Sequence, residues 1–275
     1  MGPSQMLRKF IVTVLAVFWL IVALYPILYL LFESFRSQET YLTGLPWLPP
    51  KHLYFGNYQS VLSQGFGIYF LNSTIVALVS LVMIIIFGMM ASYAIVRLKG
   101  WVSSKVFMLF LAGLAIPIQA AIIPLYLLIF RLGLYDTLWA MILPSVAFAL
   151  PLSILILVNF LRDIPKELYE AMMMEGIGTL GLLWRLAFPL SKPALTAVGI
   201  FNFVQIWNNF LFPLVLTNNP NLQTLPLALQ HFQGQYTMNV PAIMAAVTLS
   251  AIPLIIAYIF GRRQLLAGMT AGFSK

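Results

Sequence analysis

The sequence predicts an all-α integral membrane protein with six transmembrane helices, and three observations carry that reading. Of 275 residues, 61% are hydrophobic and 8% charged, where ordinary soluble domains carry roughly 25% charged residues. No Asp, Glu, Lys or Arg falls between Lys9 and Glu33, Lys51 and Arg97, Lys105 and Arg131, Asp136 and Arg162, or Lys192 and Arg262. Each gap can hold the roughly 20 apolar residues that cross a hydrocarbon core as helix. The runs are continuous, without the alternation over about 10 residues that marks barrel strands. Backbone polar groups in lipid need internal partners, so helices follow.

Taken in order, the spans are expected near 10–32, 68–96, 106–130, 137–161, 194–217 and 239–261, within one domain covering 1–275. The first follows Arg8 and Lys9 and has the look of a signal peptide. Its apolar run of about 20 residues lacks a small-residue cleavage site, so it reads as a retained span. Glu33 to Gly67 is the longest external loop, with Pro46, Pro49 and Pro50, and is expected to fold over the outer mouth. The second span fills the later part of the 51–97 gap. Leu98 to Ser104 and Leu132 to Asp136 are tight turns on opposite sides. The gap after Lys192 holds two spans joined by an amide-rich loop, Asn218 to Asn239.

Orientation follows from the basic residues. An even number of spans puts Arg8, Lys9, Arg97, Lys99, Lys105, Arg162, Lys166, Arg185, Lys192, Arg262, Arg263 and Lys275 on one side, leaving Arg36, Lys51 and Arg131 on the other. The positive-inside rule makes the crowded side, with both termini, cytoplasmic. The net charge of +8 is thus a topology signal. Spread along membrane edges, it forms no nucleic-acid patch.

Several chemistries are excluded. Without cysteine there is no disulfide or thiolate metal site, and no other metal site is predicted. The phosphate-binding pattern G-x-x-x-x-G-K-[ST] is missing, so this chain does not hydrolyse ATP by that chemistry. His52 and His231 read as ordinary loop histidines. Glu33, Glu39 and Asp136 are expected at external edges, solvated. With no acid or base inside a span, there is no proton relay, which argues against an ion-coupled secondary transporter. An intramembrane enzyme fails for want of a His, Cys or paired-carboxylate constellation.

The segment 162–193 stands apart. It holds Asp163, Glu167, Glu170 and Glu175 beside Arg162, Lys166, Arg185 and Lys192. Asp163 can cap a helix, Pro165 fits its first turn and Glu167 complements its positive end. Leu168, Ala171, Met172 and Glu175 share a face by helical spacing. Gly176 and Gly178 stop the helix. About three turns are too short to persist alone in water, so the helix needs a surface. Met172, Met173 and Met174 suit an irregular protein groove. The alternative is a helix flat among lipid headgroups, anchored by Trp184.

This loop resembles the signature loop of ABC importer permeases, Glu-Ala-Ala, then an acidic residue and Gly, then Pro. Glu170-Ala171, Glu175-Gly176 and Pro189 stand at its spacing. Similarity to the maltose-type carbohydrate permeases runs along nearly the whole chain: Ser34-Phe35-Arg36, Asn57-Tyr58, Asn72-Ser73, Ala91-Ser92-Tyr93-Ala94 with Arg97, Pro124-Leu125-Tyr126, Pro165-Lys166-Glu167-Leu168, Trp207-Asn208 and Gly268-Met269-Thr270-Ala271-Gly272. Met172, Glu175 and Ile177 depart from the pattern and imply a docking groove shaped for bulkier side chains.

The resemblance implies the type I ABC importer permease fold in a bacterial or archaeal cell membrane. It implies two ATPase subunits that bind ATP and Mg, while this chain binds no cofactor. It also implies a second permease in a heterodimer and an extracellular or periplasmic solute-binding protein. Glu170, Ala171, Met172, Met173, Glu175 and Gly176 would couple to the ATPase. Similar permeases carry sugars, sugar alcohols and glycerol phosphates.

In the fifth span Asn202, Gln205, Asn208 and Asn209 fall within about 120° of one helix face at about 100° per residue. An unpaired amide facing lipid costs several kcal/mol. The stripe is therefore either a lining for a neutral polyhydroxy solute or a set of interhelical hydrogen bonds. Asn218, Asn219, Asn221, Gln223 and His231 either probe the binding protein or form a plain solvated loop.

Overall fold

The computed structural model describes residues 3–98, 100–232 and 238–271, and it is helical throughout its apolar runs. The helices are α1 (Pro3–Ser34), α2 (Gln38–Thr43), α3 (Gly56–Val61), α4 (Gly67–Arg97), α5 (Trp101–Gly113), α6 (Ile118–Arg131), α7 (Trp139–Arg162) and α8 (Lys166–Met174), followed by α9 (Thr179–Leu190), α10 (Lys192–Trp207), α11 (Leu211–Leu216) and α12 (Val240–Ala271). Four stretches are long and apolar enough to cross a membrane unaided: Gln5–Ser34, Gly56–Arg97, Trp139–Arg162 and Val240–Arg262. Two bent pairs, α5 with α6 at 102° and α9 with α10 at 75°, raise this to six if each pair is one span.

The 102° bend corrects the expectation of an unbroken helix near 106–130, and the stop at Trp207 that of one near 194–217. After Gly113 the N–H groups of Leu114, Ala115 and Ile116 turn to carbonyls three residues back. Pro117 then stands extended at φ −70°, ψ 131°, because the ring fixes φ and removes a donor. In the fifth segment α10 begins with Pro193 in its first turn and stops at Trp207. The chain restarts as α11, where Asn209 Oδ1 accepts from Phe212 N at 3.0 Å.

Contacts divide the chain into two units, Met1–Gly67 with Ala228–Ile252, and Ile68–Leu227 with Pro253–Lys275. The second is built around α7, against which α5, α6, α10 and α11 pack. Helix α4 runs parallel to α7 at a constant offset: Ser80 Oγ donates to Ile142 O and Ser92 Oγ to Ile154 O, each at 3.5 Å and each 62 residues apart. Between them Gly88 faces α7, where a Cβ would meet Leu157 Cδ1 at 3.6 Å, an ordinary contact. Small residues at such positions are how membrane helices gain packing without a hydrophobic drive. Ile95, Ile154 and Val158 form the core at one end of this pair, with Phe107 and Phe110 of α5 against them.

The first unit is tied together at the end of α1. Glu33, expected to be solvated, is fully buried, because Arg36 one turn on brings its Nε to 3.5 Å from Oε2. Arg36 Nη2 also donates to Leu45 O at 2.7 Å and Leu48 O at 2.5 Å, closing the external segment on itself. Buried Asn57 donates to Ser34 O at 2.9 Å and Arg36 O at 2.7 Å. The Phe35 ring meets Phe55 and Tyr58 at 5.4 and 5.1 Å.

Replacing Arg36 by Gln leaves a buried carboxylate without its counter-charge. A loss of about 3–5 kcal/mol is expected, read as a lower melting temperature in detergent, and Glu33→Gln in the same chain restores most of it.

Candidate functional site

Helix α8 is held at one end of the second unit by a single buried aromatic. Tyr169 is 2% exposed. Its ring lies 6.5 Å from that of Tyr93, and the Arg97 guanidinium carbon stands 4.6 Å from its centroid. Tyr93 and Arg97 occupy the last turns of α4. Tyr93 also donates its hydroxyl to Thr179 O at 3.3 Å, so one α4 segment grips both sides of the α8–α9 turn. Arg97 Nη2 reaches Met173 Sδ at 4.0 Å. Burial pushes the Tyr169 phenol above its ordinary 10.0, with Tyr93 adding to the rise and Arg97 opposing it.

The ends of α8 are set by backbone chemistry. Asp163, expected to cap it, is instead the closing residue of α7, in helical conformation at φ −80°, ψ −10°. Pro165 takes the N-cap place with no side-chain cap bond. At the other end Gly176 adopts φ +81°. Its N–H bonds to Met173 O at 2.9 Å and that of Ile177 to Met172 O at 3.1 Å. This is the Schellman closure, which needs a left-handed residue and favours glycine. Gly178, paired with Gly176 as a stop, stands in extended conformation before α9.

The side of α8 buried within the chain is Tyr169, with Met172 partly covered, while Leu168, Ala171 and Glu175 of the shared face are exposed. Glu170, Ala171 and Glu175 are exposed, Met173 is 43% exposed and Met174 89%. A strip of acid and thioether thus points away from the bundle. Sequence reasoning missed Tyr169 and the role of Arg97. Tyr169, Met172 and Met173 stand at i, i+3 and i+4, which was the available signal.

The opposite end of the unit carries the amide loop. Asp136, also expected to be solvated, is half-buried and adopts φ 59°. Its Oδ1 accepts from Asn218 N at 3.0 Å and Asn219 N at 2.9 Å, while its own N–H donates to Leu216 O at 3.1 Å. Buried Asn72 donates to Asn221 O at 2.8 Å and Gln223 O at 2.9 Å. Ser73 Oγ accepts from Leu225 N at 2.8 Å. The backbone of 218–225 is thus strapped down, with Asn218, Asn219 and Asn221 exposed. The side chain of His231 lies outside the described residues.

The stripe on α10 does not act as one surface. Asn202 is buried and bonded to Ser153 Oγ of α7 at 3.0 Å and to Val198 O at 2.8 Å. Asn209 caps α11. Asn208 is exposed while bonding back to Val204 O at 2.9 Å, and Gln205 is exposed.

Apolar helical segments that cross a membrane, with a short charged helix docked between the fourth and fifth, define a multi-pass membrane permease. The chain belongs to the binding-protein-dependent transport system inner membrane component family, whose model matches residues 84–270. A putative ABC transporter permease protein of Caldicellulosiruptor sp. (strain Rt8B.4) is 44% identical over 257 residues, 94% of each chain. The trehalose/maltose transport system permease protein of Thermococcus litoralis is 31% identical, over 99% of each. A solved bacterial ABC transporter involved in import of the acidic polysaccharide alginate matches with a TM-score of 0.84 at 22% identity, covering 96% of this chain and 98% of that one. The shared fold is that of a type I ABC importer permease.

Two predictions follow from this geometry. A raised Tyr169 pKa means the folded state keeps its proton longer. The contribution is complete below pH 10 and falls as pH rises through the folded value. Thermal stability is expected to fall above about pH 10, and Tyr169→Phe to flatten that loss. Asp136→Ala removes the acceptor of two backbone N–H groups, at a cost of about 1–3 kcal/mol, read as faster hydrogen exchange at 218–219 with 166–176 unchanged.

Proposed function

We propose that this chain is one permease subunit of a carbohydrate importer, paired with a second, different permease. A solute-binding protein outside the cell delivers the sugar. Two cytoplasmic ATPase subunits, which bind ATP and Mg, supply the energy. The observation that carries this reading is α8: a short helix pinned through Tyr169, presenting Glu170, Glu175 and its methionines outward. Family membership and the sugar-permease relatives support it.

In this reading the ends of α4 and α7 that carry Arg97 and Arg162 face the cytoplasm with both termini, in a bacterial or archaeal cell membrane. Glu170, Ala171, Met172, Met173, Glu175 and Gly176 form the ATPase-facing segment. Closure of the ATPases pushes on α8, and Tyr169 passes the push to α4 through Tyr93 and Arg97. The strapped loop from Asn218 to Gln223 faces the binding protein. Exposed Gln205 and Asn208 remain the residues of the α10 stripe available to a polyhydroxy solute. Asn202 serves the α7–α10 contact.

Gentle solubilisation of the tagged chain is expected to bring an ATPase and a second permease with it, identified by mass spectrometry. Glu170→Lys is expected to abolish uptake and co-purification while leaving the chain in the membrane. Recovery of the chain alone, or normal uptake by that variant, sinks the coupling role. Gln205→Leu is expected to reduce uptake severalfold with the ATPase still bound.

A further inference from the structure

Beside α8 lies a group of three cations, two of which, Arg162 and Lys166, the coupling reading does not use. Arg97 ends α4, Arg162 ends α7, and Lys166 opens α8. All three line one cavity of about 330 Å³, where Glu170 is the sole carboxylate. A second cavity of about 260 Å³ lies on the other side of Arg162, lined by Leu98, Ser103, Ser104 and Phe107, and Val96 borders both. Among the described residues none of the three cations has a carboxylate within ion-pair distance, the pair of Glu33 and Arg36 being the one formed.

The arginines are pre-oriented. Arg162 lies over the Phe107 ring at 5.3 Å and Arg97 over Tyr169 at 4.6 Å. Stacking engages a guanidinium face and leaves its edge N–H donors for an anion, in the fork geometry that suits phosphate. Three positive charges converging at the root of a helix otherwise repel one another.

The flank of the cleft identifies the anion's source. On the turn into α5, Leu98, Trp101 and Val102 are 66%, 70% and 65% exposed, and Lys105 Nζ lies 4.2 Å over the Trp101 ring. An indole with a cation at the end of a membrane span marks headgroup depth. A soluble phosphate needs no apolar flank, whereas acyl chains do. We propose that the cleft between the ends of α4, α5 and α7 and the start of α8 is a binding site for an anionic phospholipid of the adjoining leaflet. The phosphate sits against Arg162 and Lys166, and the chains run along the exposed side of α5. Basic pockets of this kind between spans take acidic headgroups.

The site rests on the membrane placement of these helix ends, not on the coupling role of α8, so its test uses no transport readout. The tagged full chain, with whatever subunits accompany it, is purified in neutral detergent and in nanodiscs of phosphatidylcholine with or without phosphatidylglycerol. Phosphatidylglycerol is expected to be retained through detergent exchange, by native mass spectrometry, and to raise the melting temperature. The double variant Arg162→Gln with Lys166→Gln is expected to bind it about twenty-fivefold more weakly, at about fivefold per cation. Arg131→Gln at the opposite end is expected to bind normally. An unchanged melting temperature of the double variant in pure phosphatidylcholine shows that it folds. Equal retention by wild type and double variant, or equal retention of phosphatidylcholine, overturns the site. Full stabilisation by millimolar inorganic phosphate overturns the lipid as its source.

Discussion

Helix α4 lies against α7 along a row of small residues. Ser80, Gly88 and Ser92 hold the two backbones parallel at an offset of 62 residues. Where lipid surrounds a bundle, burying apolar side chains gains little over leaving them in contact with tails, and close packing decides which helices adhere. Every feature at the ends of this unit inherits that register. It sets Arg97 beside Arg162, and it carries Tyr93 to the level where the chain leaving α7 turns back as α8.

Few polar groups do the joining, and each is committed more than once. Arg97 stacks on Tyr169 and reaches Met173. Asp136 accepts two N–H groups and gives one. Arg36 meets Glu33 and two carbonyls. In a chain with so little charge, a single polar residue must organise a whole turn. Replacing one is therefore felt at several places at once.

The parts of the fold legible in the sequence are those where one signal acts alone. Long charge-free runs fold as α1, α4, α7 and α12, and Pro26, Pro144, Pro151 and Pro253 within them do not end the helix. The third and fifth segments break because Pro117, and Pro193 with the Asn208–Asn209 pair, compete with the apolar run. Hydropathy averages over them, although the prolines stand in plain view. At α8, Gly176 announced its stop, since a left-handed turn has a residue signature. Tyr169 did not, because its burial depends on Arg97 and Tyr93 more than 70 residues earlier. Glu33 and Asp136 were misjudged for the same reason. A carboxylate at a membrane edge looks solvated until the loop that covers it is known.

The straps on the amide loop join distant parts of the chain. Asn72 and Gln223 are 151 residues apart, and Ser73 and Leu225 152. Contacts so remote in sequence form late, after nearer ones have closed the intervening chain. While the polypeptide emerges from the ribosome, N-terminus first, α4 must wait with Asn72 unpaired until 151 further residues have been made. The seam at that end is thus sewn late, after the helices between its two edges have formed.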